Sequence, residues 1–200
     1  TPTTRGTKVI SAIATDVDGK ESKIVQYTID VKGKRTPYGG DAITLPGIIE
    51  AENFDQGGDG LSFHDSDDVD EGNVNYRSDN EGVDIVNGNG SKAIGYTAAN
   101  EWLEYSVNVT EPGEYILEAT VSSGLDGSAF TVRRTKGQST ATLCKVEVPN
   151  TGSWDTYKVV KIDKLNMALD EGEQIIRIII NNAYCNIDKI ELKPVSTGID

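Results

Sequence analysis

Trp102-Leu103-Glu104-Tyr105-Ser106-Val107-Asn108-Val109, the turn Glu111-Pro112-Gly113, and Tyr115-Ile116-Leu117-Glu118-Ala119-Thr120-Val121 decide the fold. Side chains alternate across a strand, so Leu103, Tyr105, Val107 and Val109 share one face. Trp102, Glu104, Ser106 and Asn108 share the other, which leaves a large aromatic on a polar face. The same period-two pattern returns at 129–133, 143–148, 157–162, 175–180 and 187–192, with Gly- and Pro-bearing turns between these runs. No stretch keeps a helical period. The prediction is an all-β fold, a β-sandwich (jelly roll) of two antiparallel sheets over 48–194.

On the N-terminal side, 34–47 carries Pro37, Gly39, Gly40 and Pro46 and is predicted to be a linker. Residues 8–31 predict a hairpin turning at Asp16-Val17-Asp18-Gly19. Two strands alone are not stable, so the hairpin is expected to pack on the main module or a neighbouring chain. Thr1 starts in mid-pattern, which reads as a piece of a longer chain with its targeting information upstream. Residues 195–200 are expected to be a tail.

The chain has 200 residues and a net charge of -13, which argues against a phosphate backbone as partner and leaves neutral glycans open. No apolar run approaches the roughly 18 to 20 residues of a membrane span. Cys144 and Cys185 lack zinc-ligand spacing and read as core-facing, with a single bridge between them left open. His64 reads as a solvated loop histidine. The run Asp65-Ser66-Asp67-Asp68-Val69-Asp70-Glu71 begins like a calcium loop but lacks the Gly at its sixth position and the distal Glu.

Five separated pieces carry a family resemblance: Ile49-Glu50-Ala51-Glu52-Asn53-Phe54; Tyr76-Arg77-Ser78-Asp79 with Gly82-Val83-Asp84-Ile85; 94–105, from Ile94-Gly95-Tyr96 to Glu101-Trp102-Leu103-Glu104-Tyr105; 148–154, ending in Ser153-Trp154; and Asn186-Ile187-Asp188-Lys189-Ile190-Glu191-Leu192. In this order they resemble carbohydrate-binding module family 6 over about 45–194. Val9 to Ala14 and Val25 to Ile29 resemble the last two strands of Ig-like domains that follow catalytic domains in bacterial glycosidases. That second likeness implies that 1–33 closes a truncated Ig-like domain.

The family resemblance implies a loop-end cleft in which Tyr96 and Trp154 sandwich a sugar ring and the amide of Asn186 bonds its hydroxyls. Tyr184 is offered as an extra wall and Glu81 as the acidic ligand-binding residue, although the long insert 57–75 departs from the family pattern. Trp102 is expected to serve a second site on the concave face, the alternative being a Trp covered by the acidic loop or the hairpin. Glu50 and Glu52 are expected on the same face of a first strand, and the resemblance implies a structural calcium (Ca2+) between them and Asp188, at about 2.3 to 2.6 Å, completed by carbonyls from the loop preceding Arg77.

The expected function is a non-catalytic module that holds a glycoside hydrolase of the same polypeptide on a β-linked polysaccharide or oligosaccharide, agarose-type galactan, xylan or β-glucan. The expected location is bacterial and secreted, periplasmic or cell-surface. An architectural spacer without ligand is the alternative, and a hydrolase using a pair among Glu50, Glu52, Glu101 and Glu104 is a third reading.

Overall fold

The alternation around Tyr105 is realised in a computed structural model that describes residues 6–31 and 33–195. The chain divides into two units, Thr1–Lys34 and Arg35–Asp200. In the first, β1 (Gly6–Ala12) pairs antiparallel with β2 (Val25–Val31). Asp16 organises the turn, its Oδ1 accepting from the amides of Asp18 at 3.0 Å and Lys20 at 2.9 Å. Gly19 takes the left-handed φ of 80° that this turn needs. Val9, Ile10, Val25 and Tyr27 are exposed.

The second unit contains β3 (Ile43–Leu45), β4 (Gly47–Glu50), a single 3-10 turn (Ala51–Asn53), β5 (Phe63–His64), β6 (Ile85–Gly88) and β7 (Ser91–Ile94). The long strands follow: β8 (Trp102–Val109), β9 (Tyr115–Ser123), β10 (Ala129–Lys136), β11 (Ser139–Glu147), β12 (Ser153–Ile162), β13 (Gly172–Asn182) and β14 (Asn186–Pro194). One sheet runs β11-β10-β13-β8-β3, with β5 also on β8; the other runs β12-β9-β14-β7-β6, with β4 also on β14. Leu103, Tyr105, Val107, Ile176 and Ile178 of the first meet Leu117, Ala119, Val121, Ile187 and Ile190 of the second in one buried core. Phe54 and Phe63 close one side, edge to face at 5.0 Å.

The expected all-β sandwich is what the structure shows, and three finer expectations are corrected. Residues 34–47 are not a linker, because β3 pairs with β8 and buries Leu45, while Thr36 exchanges backbone hydrogen bonds with Gln56. That β3–β8 pair is parallel, so the first sheet is mixed rather than wholly antiparallel. Glu50 and Glu52 do not share a strand face. Glu50 ends β4 and Glu52 lies in the 3-10 turn, which swings it into the interior.

Irregularities in the second sheet set up two side chains. Ser153 faces Ser123 and Lys158 faces Val121, so Trp154, Asp155, Thr156 and Tyr157 have only Ser122 opposite them and bulge away from the ladder. On β14, Ile187 faces Val121 and Lys189 faces Thr120, which leaves Asp188 as the extra residue and turns its carboxylate into the protein.

Candidate functional site

The aromatics expected at the cleft are exposed: Tyr96 at 58%, Trp154 at 41% and Tyr184 at 59%. Their backbones meet at the start of β14. Asn186, 9% exposed, donates its Nδ2 to the carbonyl of Trp154 at 3.2 Å, and Ser122 Oγ donates to the same carbonyl at 2.5 Å. The indole lies over Gly124, where a Cβ would come within 3.1 Å of the ring. A Cβ at Gly95, next to Tyr96, would approach Asn186 Oδ1 to 3.1 Å. Asn186 thus holds the Trp154 backbone from within.

Thr97 joins the other two aromatics. Its Oγ1 donates to the carbonyl of Cys185 at 2.9 Å and accepts from the Cys185 amide at 3.0 Å, while its carbonyl accepts from the Tyr184 amide at 3.0 Å. The carbonyl of Tyr184 accepts from Ser123 Oγ and Ser128 Oγ, each at 2.7 Å. Tyr96 and Tyr184 stand at φ 46° and 69°, in the left-handed region where bulky residues are rare. Such conformations cost on the order of 1 to 3 kcal/mol each and persist only when the surroundings over-determine them. Thr97, Ser122, Ser123 and Ser128 are that surrounding layer and were missed from sequence. The one sequence signal was the polar pair Ser122-Ser123 ending a strand of apolar alternation.

The carboxylates assigned to a cation lie elsewhere. Glu52 and Asp188 are buried, and Glu52 Oε2 and Asp188 Oδ1 have no hydrogen-bond partner. Burial pushes the Glu52 carboxyl up to about 7, and the charges of Glu50 and Asp188 push the same way. Two bare carboxylate oxygens in a dry setting suit a hard cation. Among the described residues no three acidic, His or Cys side chains converge to hold a metal as they stand; Glu52 and Asp188 would be the side chains to offer oxygens to a cation, with the less buried Glu50 beside them. Asn89 caps the pair, its Nδ2 donating to Asp188 Oδ2 at 2.9 Å. The Arg77 side chain is no ligand. Its guanidinium is packed 3.8 Å from the Phe54 ring centroid and 4.6 Å from that of Tyr38, and it donates to the carbonyls of Glu52 and Phe54.

Trp102 is half-buried, and its ring face is taken. Arg177 lies 4.0 Å from the indole centroid, drawn there by Glu104, which accepts from Arg177 Nε at 2.8 Å and also pairs with Arg35. One face of the indole expected as a stacking platform is thus covered by a cation. His64 is not in a loop but in β5 opposite Trp102, with Nδ1 2.8 Å from Asp59 Oδ1. Glu81 turns toward the acidic insert, its Oε2 accepting from the Asp59 amide at 3.1 Å. Glu101 accepts from Ser66 and from the Ala98 amide. Glu101 and Glu104 are thus bound into the scaffold. Cys144 and Cys185 are free, buried thiols, pushed up by burial to about 12 and about 11.

With this geometry in place, likeness to known proteins is informative. A β-agarase of Microbulbifer thermotolerans is 28% identical over 113 residues, which is 55% of this chain but only 9% of that protein. A module of Clostridium stercorarium solved with cellobiose superposes with a TM-score of 0.58 at 21% identity, covering 78% of this chain and 99% of its own. The module of Cellvibrio mixtus lichenase 5A solved with cellotriose gives 0.54 at 22% identity, covering 76% and 98%. Residues 74–194 match the family described as carbohydrate binding module (family 6), and with the sandwich and the loop-end aromatics the chain belongs to that family of non-catalytic carbohydrate-binding modules.

Proposed function

We propose that this module tethers a glycoside hydrolase of the same polypeptide to a neutral β-linked polysaccharide outside the cell, binding it at the loop end through Tyr96 and Trp154. The observation that carries the reading is that these aromatics are exposed while their backbones are fixed by buried hydroxyls and an amide. Sugar rings present C–H faces that stack on aromatic rings. Tethering raises the local substrate concentration of an attached enzyme. Agarose-type galactan is the first substrate class to test, in view of the β-agarase relative, followed by β-glucan and xylan.

The same reading includes a structural calcium held by Glu52 and Asp188, with Glu50 at its edge and carbonyls of the loop before Arg77. Calcium would neutralise the bare oxygens and join the 3-10 turn to β14. The deciding experiment is calorimetry of residues 1–200 and of Trp154→Ala against neoagarotetraose, cellotriose, laminarin and xylohexaose. Binding by the parent and its loss in the variant support the proposal. No binding to any of the four, or equal binding by both proteins, overturns it.

A further inference from the structure

The bulge that opens with Trp154 closes with Tyr157, and the two residues converge on the same partners. Only Ser122 lies opposite Trp154, Asp155, Thr156 and Tyr157 before the ladder resumes at Lys158. The Trp154 carbonyl accepts from Ser122 Oγ and from Asn186 Nδ2. Tyr157 Oη is buried without a hydrogen-bond partner, yet the side chains of Asn186 and Ser122 are close enough to act on it. A buried hydroxyl left unpaired is costly, so a phenol here needs a use.

The donor count supplies one. Ser122 spends its one hydroxyl hydrogen on the Trp154 carbonyl and keeps lone pairs to accept with, while Asn186 Nδ2 carries two hydrogens and spends one there. A hydroxyl that donates to Ser122 Oγ and accepts the second hydrogen of Asn186 fits both. Tyr157 is also held from the other side. A Cβ at Gly88, the last residue of β6, would overlap Tyr157 Oη and come within 2.7 Å of its Cζ. Gly88 does not have a left-handed φ, so it is the phenol that keeps a side chain out.

We propose that Tyr157 is the positioning residue for Trp154: seated on Gly88, its hydroxyl closes a polar ring with Ser122 and Asn186 and so fixes the backbone from which the indole meets a sugar. This rests on the loop-end site proposed above and adds to it a residue whose buried hydroxyl acts only through others. Holding the indole before binding lowers the ordering cost of association.

The test is calorimetry of the full chain against neoagarotetraose, cellotriose, laminarin and xylohexaose, paired with fluorescence in a Trp102→Phe background, where Trp154 is the one tryptophan left. Tyr157→Phe, which removes a single oxygen, is expected to weaken the best-bound glycan about three- to tenfold. In the Trp102→Phe background it should lower the fluorescence anisotropy of Trp154 and open it to acrylamide, each read against Trp102→Phe alone. Gly88→Ala should weaken the same glycan. The double variant should lose less than the product of the two single losses, because both act on one contact.

Glycan affinity in Tyr157→Phe within about twofold of the parent overturns the proposal, whatever the melting temperature does. Weaker binding with unchanged anisotropy and quenching of Trp154 also overturns it, because Tyr157 would then act on the sugar without Trp154. A Gly88→Ala protein that binds like the parent, or losses that multiply in the double variant, overturn the seat on Gly88. A parent that binds none of the four glycans defeats the loop-end site and this role together. Binding that Trp154→Ala loses and Tyr157→Phe keeps defeats this proposal alone.

Discussion

The side-chain amide of Asn186 donates to the main-chain carbonyl of Trp154. Asn186→Ala removes that donor and leaves Ser122 as the remaining partner. The expected result is a stability loss of about 1 to 2 kcal/mol with glycan affinity reduced about tenfold. Urea unfolding and calorimetry measure the two quantities, and unchanged affinity would separate Asn186 from the placement of Trp154.

Trp154→Ala should weaken the best-bound glycan at least about tenfold, from the loss of an aromatic face worth on the order of 1 to 2 kcal/mol. The indole lies in a bulge outside the ladder, so the melting temperature should move by only a few degrees. A collapse in stability would show the indole to be a plug for the core.

Excess chelator should lower the melting temperature, because an ion that binds only the folded state stabilises it by mass action. Asp188→Asn should lower it in calcium buffer and remove most of the chelator effect. Identical melting curves with and without chelator would refute the cation assignment.

Asp84 and Asp65 set a pH dependence in the loop region. Burial first, then neighbouring acidic charges, push Asp84 up to about 7 and Asp65 up to about 6. A carboxyl whose folded pKa is raised contributes stability below its unfolded pKa and loses it as pH climbs through the folded one. Melting temperature should therefore fall between about pH 4 and pH 7. Asp84→Asn, which keeps an oxygen for the Glu71 amide, should flatten that slope. A slope equal to that of the parent would refute the assignment.

Arg35 and Tyr38 belong to the module, so where a shortened chain begins matters. Starting at residue 39 removes Arg35 from the buried Glu104 and Tyr38 from the Arg77 stack. Because Arg35 is partly exposed and Arg177 remains, the cost should be about 1 to 3 kcal/mol. Chemical denaturation of chains beginning at 35 and at 39 reads the difference, and equal midpoints would contradict it.

The long strands were legible because each buries one face, and burial writes alternation into the sequence, as at Leu103, Tyr105 and Val107. Exposed Tyr96 and Trp154 were legible through family resemblance. What escaped reading depends on partners far along the chain. Arg177 covers Trp102 from a neighbouring strand, and the bulge at Asp188 exists only relative to β9. The short strands β6 and β7 flank Asn87-Gly88-Asn89-Gly90 and are too brief for a period to emerge. Residues 34–47 look like a linker by their Gly and Pro content, yet Ile43 and Leu45 are enough to add a strand.

The last strand lies in the interior of its sheet, with β9 on one side and β4 and β7 on the other. During synthesis, then, the first and middle strands wait for Leu192 to leave the ribosome before their central partner exists. A nascent or prematurely ended chain exposes the edges of β4 and β9 and the apolar side chains meant to meet Ile187 and Ile190. Pairing so distant in sequence also makes closure slow relative to a helical domain of equal size. The unpaired edges of β4 and β9 need protection from aggregation for just that interval.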